Sequence, residues 1–95
     1  MELVLTRTLQ ALTDPKRREI LQMLGAGDKT AGEISARFDI SAPSVSHHLS
    51  VLKNADLIRA ERNGQTLVYS LNTTVVQEFV QEIMRVLKVG EGDHA

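Results

Sequence analysis

The stretch SAPSVSHHLSVLK, residues 41–53, holds two adjacent histidines, a proline, and Ser41, Ser44, Ser46 and Ser50 inside a helical pattern. Histidine pairs suit metals, and serine beside histidine suits a nucleophile. A small polar face suits contact with another molecule. At about 100° per residue, Leu49 and Leu52 lie within about 40° of Val45, so these three mark a buried stripe. Pro43, Ser44, Ser46, His47 and Ser50 lie about 100° or more from Val45 and point to solvent. His48 is about 60° away, on the flank, and is expected to be half-buried. Neighbouring helical residues diverge, so His47 and His48 do not chelate one ion, and neither has a His or carboxylate at i, i+4. A nucleophile would need an orienting carboxylate and an oxyanion loop, and neither is evident. The remaining reading is a recognition surface. Short polar side chains and one imidazole fit the major groove of DNA, where serines reach phosphates or base edges.

The flanking sequence supports that reading. Upstream, TAGEISARF opens with a capping box, Thr30 and Glu33, and turns Ala31, Ile34 and Phe38 to one side. DIS, residues 39–41, then forms a tight turn, and Ser41 caps the next helix with Pro43 in its first turn. Two short helices across a tight turn make a helix-turn-helix. Earlier still, Asp14 caps a helix with Pro15 in its first turn. Ile20, Leu21 and Leu24 form its apolar face, and Gly25 or Gly27 ends it. Arg17 falls inside that apolar arc, either with its stem on the core or in an ion pair or phosphate contact that fixes the helix. Leu5, Leu9 and Leu12 give a first helix over residues 3–12.

Downstream, the periodicity shifts to two. Leu57 and Ile58 begin a strand, Asn63-Gly64 is a type I′ hairpin signal, and Leu67, Tyr69 and Leu71 alternate on the return. Asn72, Thr73 or Thr74 caps a last helix running to about Val89, and residues 90–95 form a frayed tail. The expected fold is mainly α with a small β-hairpin: a winged helix-turn-helix of four helices, two strands and a last helix, in one domain spanning residues 1–95. The hairpin tip is the wing, and it places Arg62, Asn63 and Gln65 beside the DNA backbone or minor groove.

Composition narrows the function classes. The chain has 95 residues and no cysteine, which excludes disulfides, thiolate zinc sites and thiol switches. No apolar run exceeds three residues, so neither a membrane span nor a signal peptide is expected, and the protein is expected to be cytoplasmic. The net charge of −1 argues mildly against a generic nucleic-acid coat. Charge is uneven, however: residues 41–72 hold Lys53, Arg59 and Arg62 against Asp56 and Glu61.

The last helix is too apolar for one core. Val76, Phe79, Val80, Ile83, Met84, Val86 and Leu87 span about 180°, where a helix facing only its own core needs about 100°. Glu78, Gln81, Arg85 and Lys88 fill the other arc. The surplus suggests a second copy of the chain, docked through Leu5, Leu9, Phe79, Val80, Ile83, Met84 and Leu87 on the first and last helices.

Four blocks in fixed order, ALTDPKRREILQML, TAGEIS, SAPSVSHHLSVLKNADLI and RNGQTLVYSLN, resemble the ArsR/SmtB family of winged-helix repressors. The similarity is nearest to that family's branch of small sporulation-delay autorepressors and runs from about Leu9 to Asn72. It implies a homodimer on an inverted repeat of double-stranded DNA that blocks transcription, often of its own gene. It also implies that Ser46 and His47 act on the recognition helix, with the wing tip at Arg62 to Gln65. Many members sense metals through cysteines on the third helix, where this chain has Gly32, Glu33, Ile34 and Ser35. Others use Asp and His on the last helix, and residues 74–89 contain neither. The expectation is therefore a repressor without a metal cofactor, not an enzyme, leaving room for a protein partner that relieves repression. The rival readings are a ligand- or metal-responsive repressor of the same kind, and a winged-helix protein-interaction module without DNA binding.

Overall fold

The computed structural model describes residues 2–88. In chain order these form α1 (Glu2–Ala11), α2 (Pro15–Gly25), β1 (Lys29–Thr30), α3 (Ala31–Ala36), α4 (Ala42–Asn54), β2 (Ile58–Asn63), β3 (Thr66–Leu71) and α5 (Thr73–Val86). The expected tail at residues 90–95 lies outside the described residues.

Helices begin where polar side chains take up amides that have no intrahelical acceptor. Asp14 accepts from Lys16 N at 2.7 Å and Arg17 N at 3.4 Å. Thr30 and Glu33 close the capping box. Ser41 accepts from Ser44 N at 3.2 Å. Of the three candidates for α5, Asn72 is the cap, accepting from Val75 N at 3.4 Å. Asp14→Ala should therefore cost about 1 kcal/mol of stability. Partial burial pulls the Asp14 carboxyl pKa upward. The Lys16 and Arg17 amides, with the nearby charges of His48 and Arg17, outweigh that and leave it below the usual value. A carboxyl depressed on folding stabilises fully above the ordinary carboxylate range and loses that contribution as pH falls through it. The gap in urea midpoint between wild type and Asp14→Ala should thus narrow from about pH 7 to about pH 3, and an unchanged gap would contradict the assignment.

The helices and the sheet bury one core: Ile20 and Leu24 of α2, Ile34 of α3, Val45, Leu49 and Leu52 of α4, then Ala55, Leu57 and Ile58. Fully burying each large aliphatic side chain is worth about 1.5–3 kcal/mol. That core fixes α3 against α4 and roots the hairpin beside them.

Several expectations are corrected. The sheet has three strands in the order β1-β3-β2, because Lys29 and Thr30 pair antiparallel with Tyr69 and Val68. A two-residue strand has no periodicity of its own to read. Leu57 precedes the hairpin instead of starting it; Asp56, at φ 62°, turns the chain, and Leu57 N donates to Leu52 O. The hairpin turn is Gly64-Gln65, since Asn63 pairs with Thr66. Gly64, the first central residue, is at φ 69° and Gln65, the second, is not in the positive region, the II′ pattern rather than I′. The connection between α3 and α4 spans residues 37–41, longer than the three-residue turn expected. The last helix ends at Val86, with Lys88 at φ 57°, not at Val89. In α1 the buried line is Leu5, Thr8 and Ala11, and Leu9 is 43% exposed. Thr8 is tolerated there because its hydroxyl donates to Val4 O at 3.0 Å.

Candidate nucleic-acid interface

Helix α4 turns Val45, Leu49 and Leu52 inward and leaves Ser44, Ser46, His47 and Ser50 exposed along one side. The core stripe leaves those side chains no other direction. His47 makes no hydrogen bond among the described residues, so both ring nitrogens are available to an outside partner. Ser44 is partly committed: Ser41 Oγ donates to Ser44 Oγ at 3.0 Å. That contact orients the Ser44 hydroxyl, whose own proton can point outward.

The wing carries Arg62, Asn63 and Gln65, all exposed. Arg62 opposes Leu67 across the hairpin, and Glu61 opposes Val68. Directly paired residues share a face, so Arg62 and Glu61 lie on opposite faces of the hairpin. Among the described residues Arg62 has no ion-pair partner, whereas Arg37 is held by Glu19 at 2.8 Å and Arg85 by Glu82. The recognition-helix residues and the wing residues lie on separate elements, and no hydrogen bond among the described residues joins the two sets.

The residues expected at a dimer surface differ in exposure within the protomer. Val80, Met84, Val86 and Leu87 are 42–66% exposed, and Phe79 and Ile83 are half-buried. Leu5, expected at the interface, is already 8% exposed inside the protomer. It lines a cleft of about 100 Å³ between α1 and α5 with Val4, Thr8, Val75, Glu78, Phe79 and Glu82. Val4, 59% exposed, adds to Leu9 as exposed apolar surface on α1. A leucine stripe in sequence does not say which of its sides the chain's own core takes.

Arg17 follows neither expected reading alone. Its Nε donates to Ala11 O at 2.6 Å and its Nη2 to Gln10 O at 3.2 Å, closing carbonyls at the end of α1. Its Nη1 lies 3.1 Å from Nδ1 of His48. A guanidinium only donates, so Nδ1 accepts and the proton of the neutral ring sits on Nε2. His48 is half-buried, as expected, and burial pushes its pKa down, opposed by Asp14 and reinforced by Arg17 and other nearby positive charge. The signals in the sequence were Arg17 inside an apolar arc and His48 on the flank of its helix. Nothing in the sequence placed them side by side.

Among the described residues, no three His, Asp or Glu side chains cluster as they would around an ion. The rings of His47 and His48 stand 5.9 Å apart with their planes tilted by 51°. No helix of the described chain is long and apolar enough to cross a membrane.

The sequence model of the family described as "Bacterial regulatory protein, arsR family" matches residues 14–60, from the α2 cap into β2. The chain is 45% identical over 89 residues to "Transcriptional repressor SdpR" of Bacillus subtilis (strain 168), covering 94% of this chain and 99% of that protein. Its fold is similar to an ArsR-like transcriptional regulator from Rhodococcus sp. RHA1, with TM-score 0.81 and 25% identity over 90% of this chain and 80% of that one. It is also similar in fold to the homodimeric winged helix-turn-helix DNA-binding domain of Mb0332 from Mycobacterium bovis, with TM-score 0.73 and 24% identity over 97% and 84% of the two chains.

Proposed function

Because the chain belongs to the ArsR family of bacterial regulatory proteins, a DNA-binding transcriptional repressor and not an enzyme, we propose that it works as a homodimer on an inverted-repeat operator, controls its own gene and needs no metal. The observation that carries this reading is the exposed polar face of α4 on a helix-turn-helix rooted in the core. His47 is unengaged within the chain, and Ser46 and Ser50 lie on the same side. His47 and Ser46 contact base edges or phosphates in the major groove, with Ser44 and Ser50 beside them. Arg62, Asn63 and Gln65 reach the backbone from the wing. The protein acts in the cytoplasm, where its operator lies.

The exposed apolar residues of α5 and α1 support pairing of two copies, as in the homodimeric Mb0332 domain. Pairing fits a repressor because an inverted repeat presents the same half-site twice.

Metal-independent action rests on the absence of cysteine and on residues 74–89, which hold neither His nor Asp. The test is a titration of duplex DNA from upstream of the chain's own gene against a scrambled duplex, with and without zinc, nickel, cobalt and copper. Preference for the upstream duplex is expected, with metals changing its affinity by less than about twofold, under about 0.5 kcal/mol. A stoichiometric zinc complex that weakens binding about tenfold, about 1.4 kcal/mol, would overturn the metal-free reading. Truncation after Gly90 would then show whether Asp93 and His94, which lie outside the described residues, supply the ligands.

A further inference from the structure

We propose that Arg17 and His48 are positioning residues that tie the recognition helix to the end of α1, and so set how the two recognition helices of the dimer are spaced. The inference rests on the DNA-binding reading and adds residues that need not touch DNA.

One guanidinium spans three elements. It stands on α2, closes Gln10 O and Ala11 O at the end of α1, and donates to Nδ1 of His48 on α4. Helix α1 carries exposed Val4 and Leu9, and Val4 lines the cleft that α1 shares with Val75 and Phe79 of α5. Helix α4 carries His47, the neighbour of His48. A shift of α1 at the dimer surface therefore reaches α4 through a planar, always-charged fork whose three donors all have acceptors. Packing alone would leave more play, because α4 otherwise meets its neighbours through aliphatic side chains such as Val45, Leu49 and Leu52. The fork matters chemically. Lysine has a point charge without planar donors and cannot hold the three acceptors in the same arrangement.

The tie requires a neutral imidazole. A protonated ring would turn an N–H toward the guanidinium and set two positive charges about 3 Å apart. The groups facing His48 are Asp14, Lys16 and Arg17 from the start of α2, and His47 on its own helix. Asp14 favours the charged ring, but burial and the three positive groups oppose it. The ring pKa lies below its ordinary value of 6.5. A base depressed on folding keeps its contact at neutral pH and loses it as pH falls through that lower pKa.

The experiment measures the ratio of affinities for the footprinted operator and a scrambled duplex, together with operators whose half-sites are moved apart by about two base pairs. Arg17→Lys should remain a folded dimer and bind scrambled DNA within about twofold of wild type. Its operator preference should fall about tenfold or more, and its penalty for altered spacing should shrink. His48→Asn keeps a neutral oxygen for Arg17 to donate to but cannot titrate. The wild-type ratio should fall as pH drops from about 7.5 to below the ordinary histidine range, and the His48→Asn ratio should fall less over the same range.

The inference is overturned if Arg17→Lys loses thermal stability while its operator ratio and spacing penalty stay at wild-type values, since Arg17 would then only cap α1. It is overturned independently if the two pH profiles coincide, a result that does not depend on any Arg17 variant folding. A wild-type protein with no operator preference at about pH 7.5 is a different failure. That result would remove the DNA-binding reading itself, and the proposed role of Arg17 and His48 with it.

Discussion

Met84→Lys should leave the chain folded but monomeric, and its affinity for the operator should fall by about 10²–10⁴. Met84 is 42% exposed in the protomer, on the face of α5 that also presents Val80, Val86 and Leu87. A lysine there disturbs little within one chain, so helix content should hold. In a dimer the same ammonium would lose its water against an apolar partner, at a cost on the order of several kcal/mol. Separated protomers then meet half-sites one at a time and lose the effective concentration that pairing supplies. Sedimentation and circular dichroism measure the two halves of the expectation. A wild-type chain that is monomeric at micromolar concentration would contradict it, as would a Met84→Lys variant that remains dimeric.

The second large effect separates the recognition helix from the wing. His47 is exposed on α4 among shorter side chains and is unengaged within the chain. Its ring can donate or accept at a base edge, so it carries sequence information. His47→Ala should cost about 1–3 kcal/mol per half-site on the operator and little on random DNA. Arg62, exposed at the wing and without an ion-pair partner among the described residues, should instead neutralise phosphate. Arg62→Ala should weaken both duplexes alike and lower the salt slope by about 1 per protomer. Both variants should be measured on operator and scrambled DNA at two salt concentrations. Equal losses for His47→Ala on both duplexes, with a reduced slope, would make His47 a backbone contact and move specificity to Ser44, Ser46 or DNA shape.

What was legible in the sequence was what local chemistry dictates. Asp14, Thr30 with Glu33, and Ser41 marked helix starts because capping needs a particular side chain at a particular offset. The buried stripe of α4 followed from a 3.6-residue period, and with it came the exposed face that holds His47. What failed depended on partners far away in the chain. Strand β1 exists only because Lys29 and Thr30 meet Tyr69 and Val68. The turn moved from Asn63-Gly64 to Gly64-Gln65 because register is set by the whole hairpin, and the dipeptide alone does not fix it. That Leu5 packs toward α5 within one protomer was likewise not legible, because a stripe does not reveal which of its sides the chain's own core takes. The link between Arg17 and His48 spans 31 residues and three elements, beyond any periodicity.

The most direct test is a footprint of the wild-type protein on DNA upstream of its own gene. Two protected half-sites in inverted repeat are expected, centred about 10 base pairs or a multiple of that apart, one on each helical turn reached by an α4. Protection should weaken as salt rises and disappear with Met84→Lys at concentrations that saturate the wild type. Uniform protection of any duplex, or none at concentrations where scrambled DNA is already bound, would contradict a dimeric repressor that reads sequence through α4.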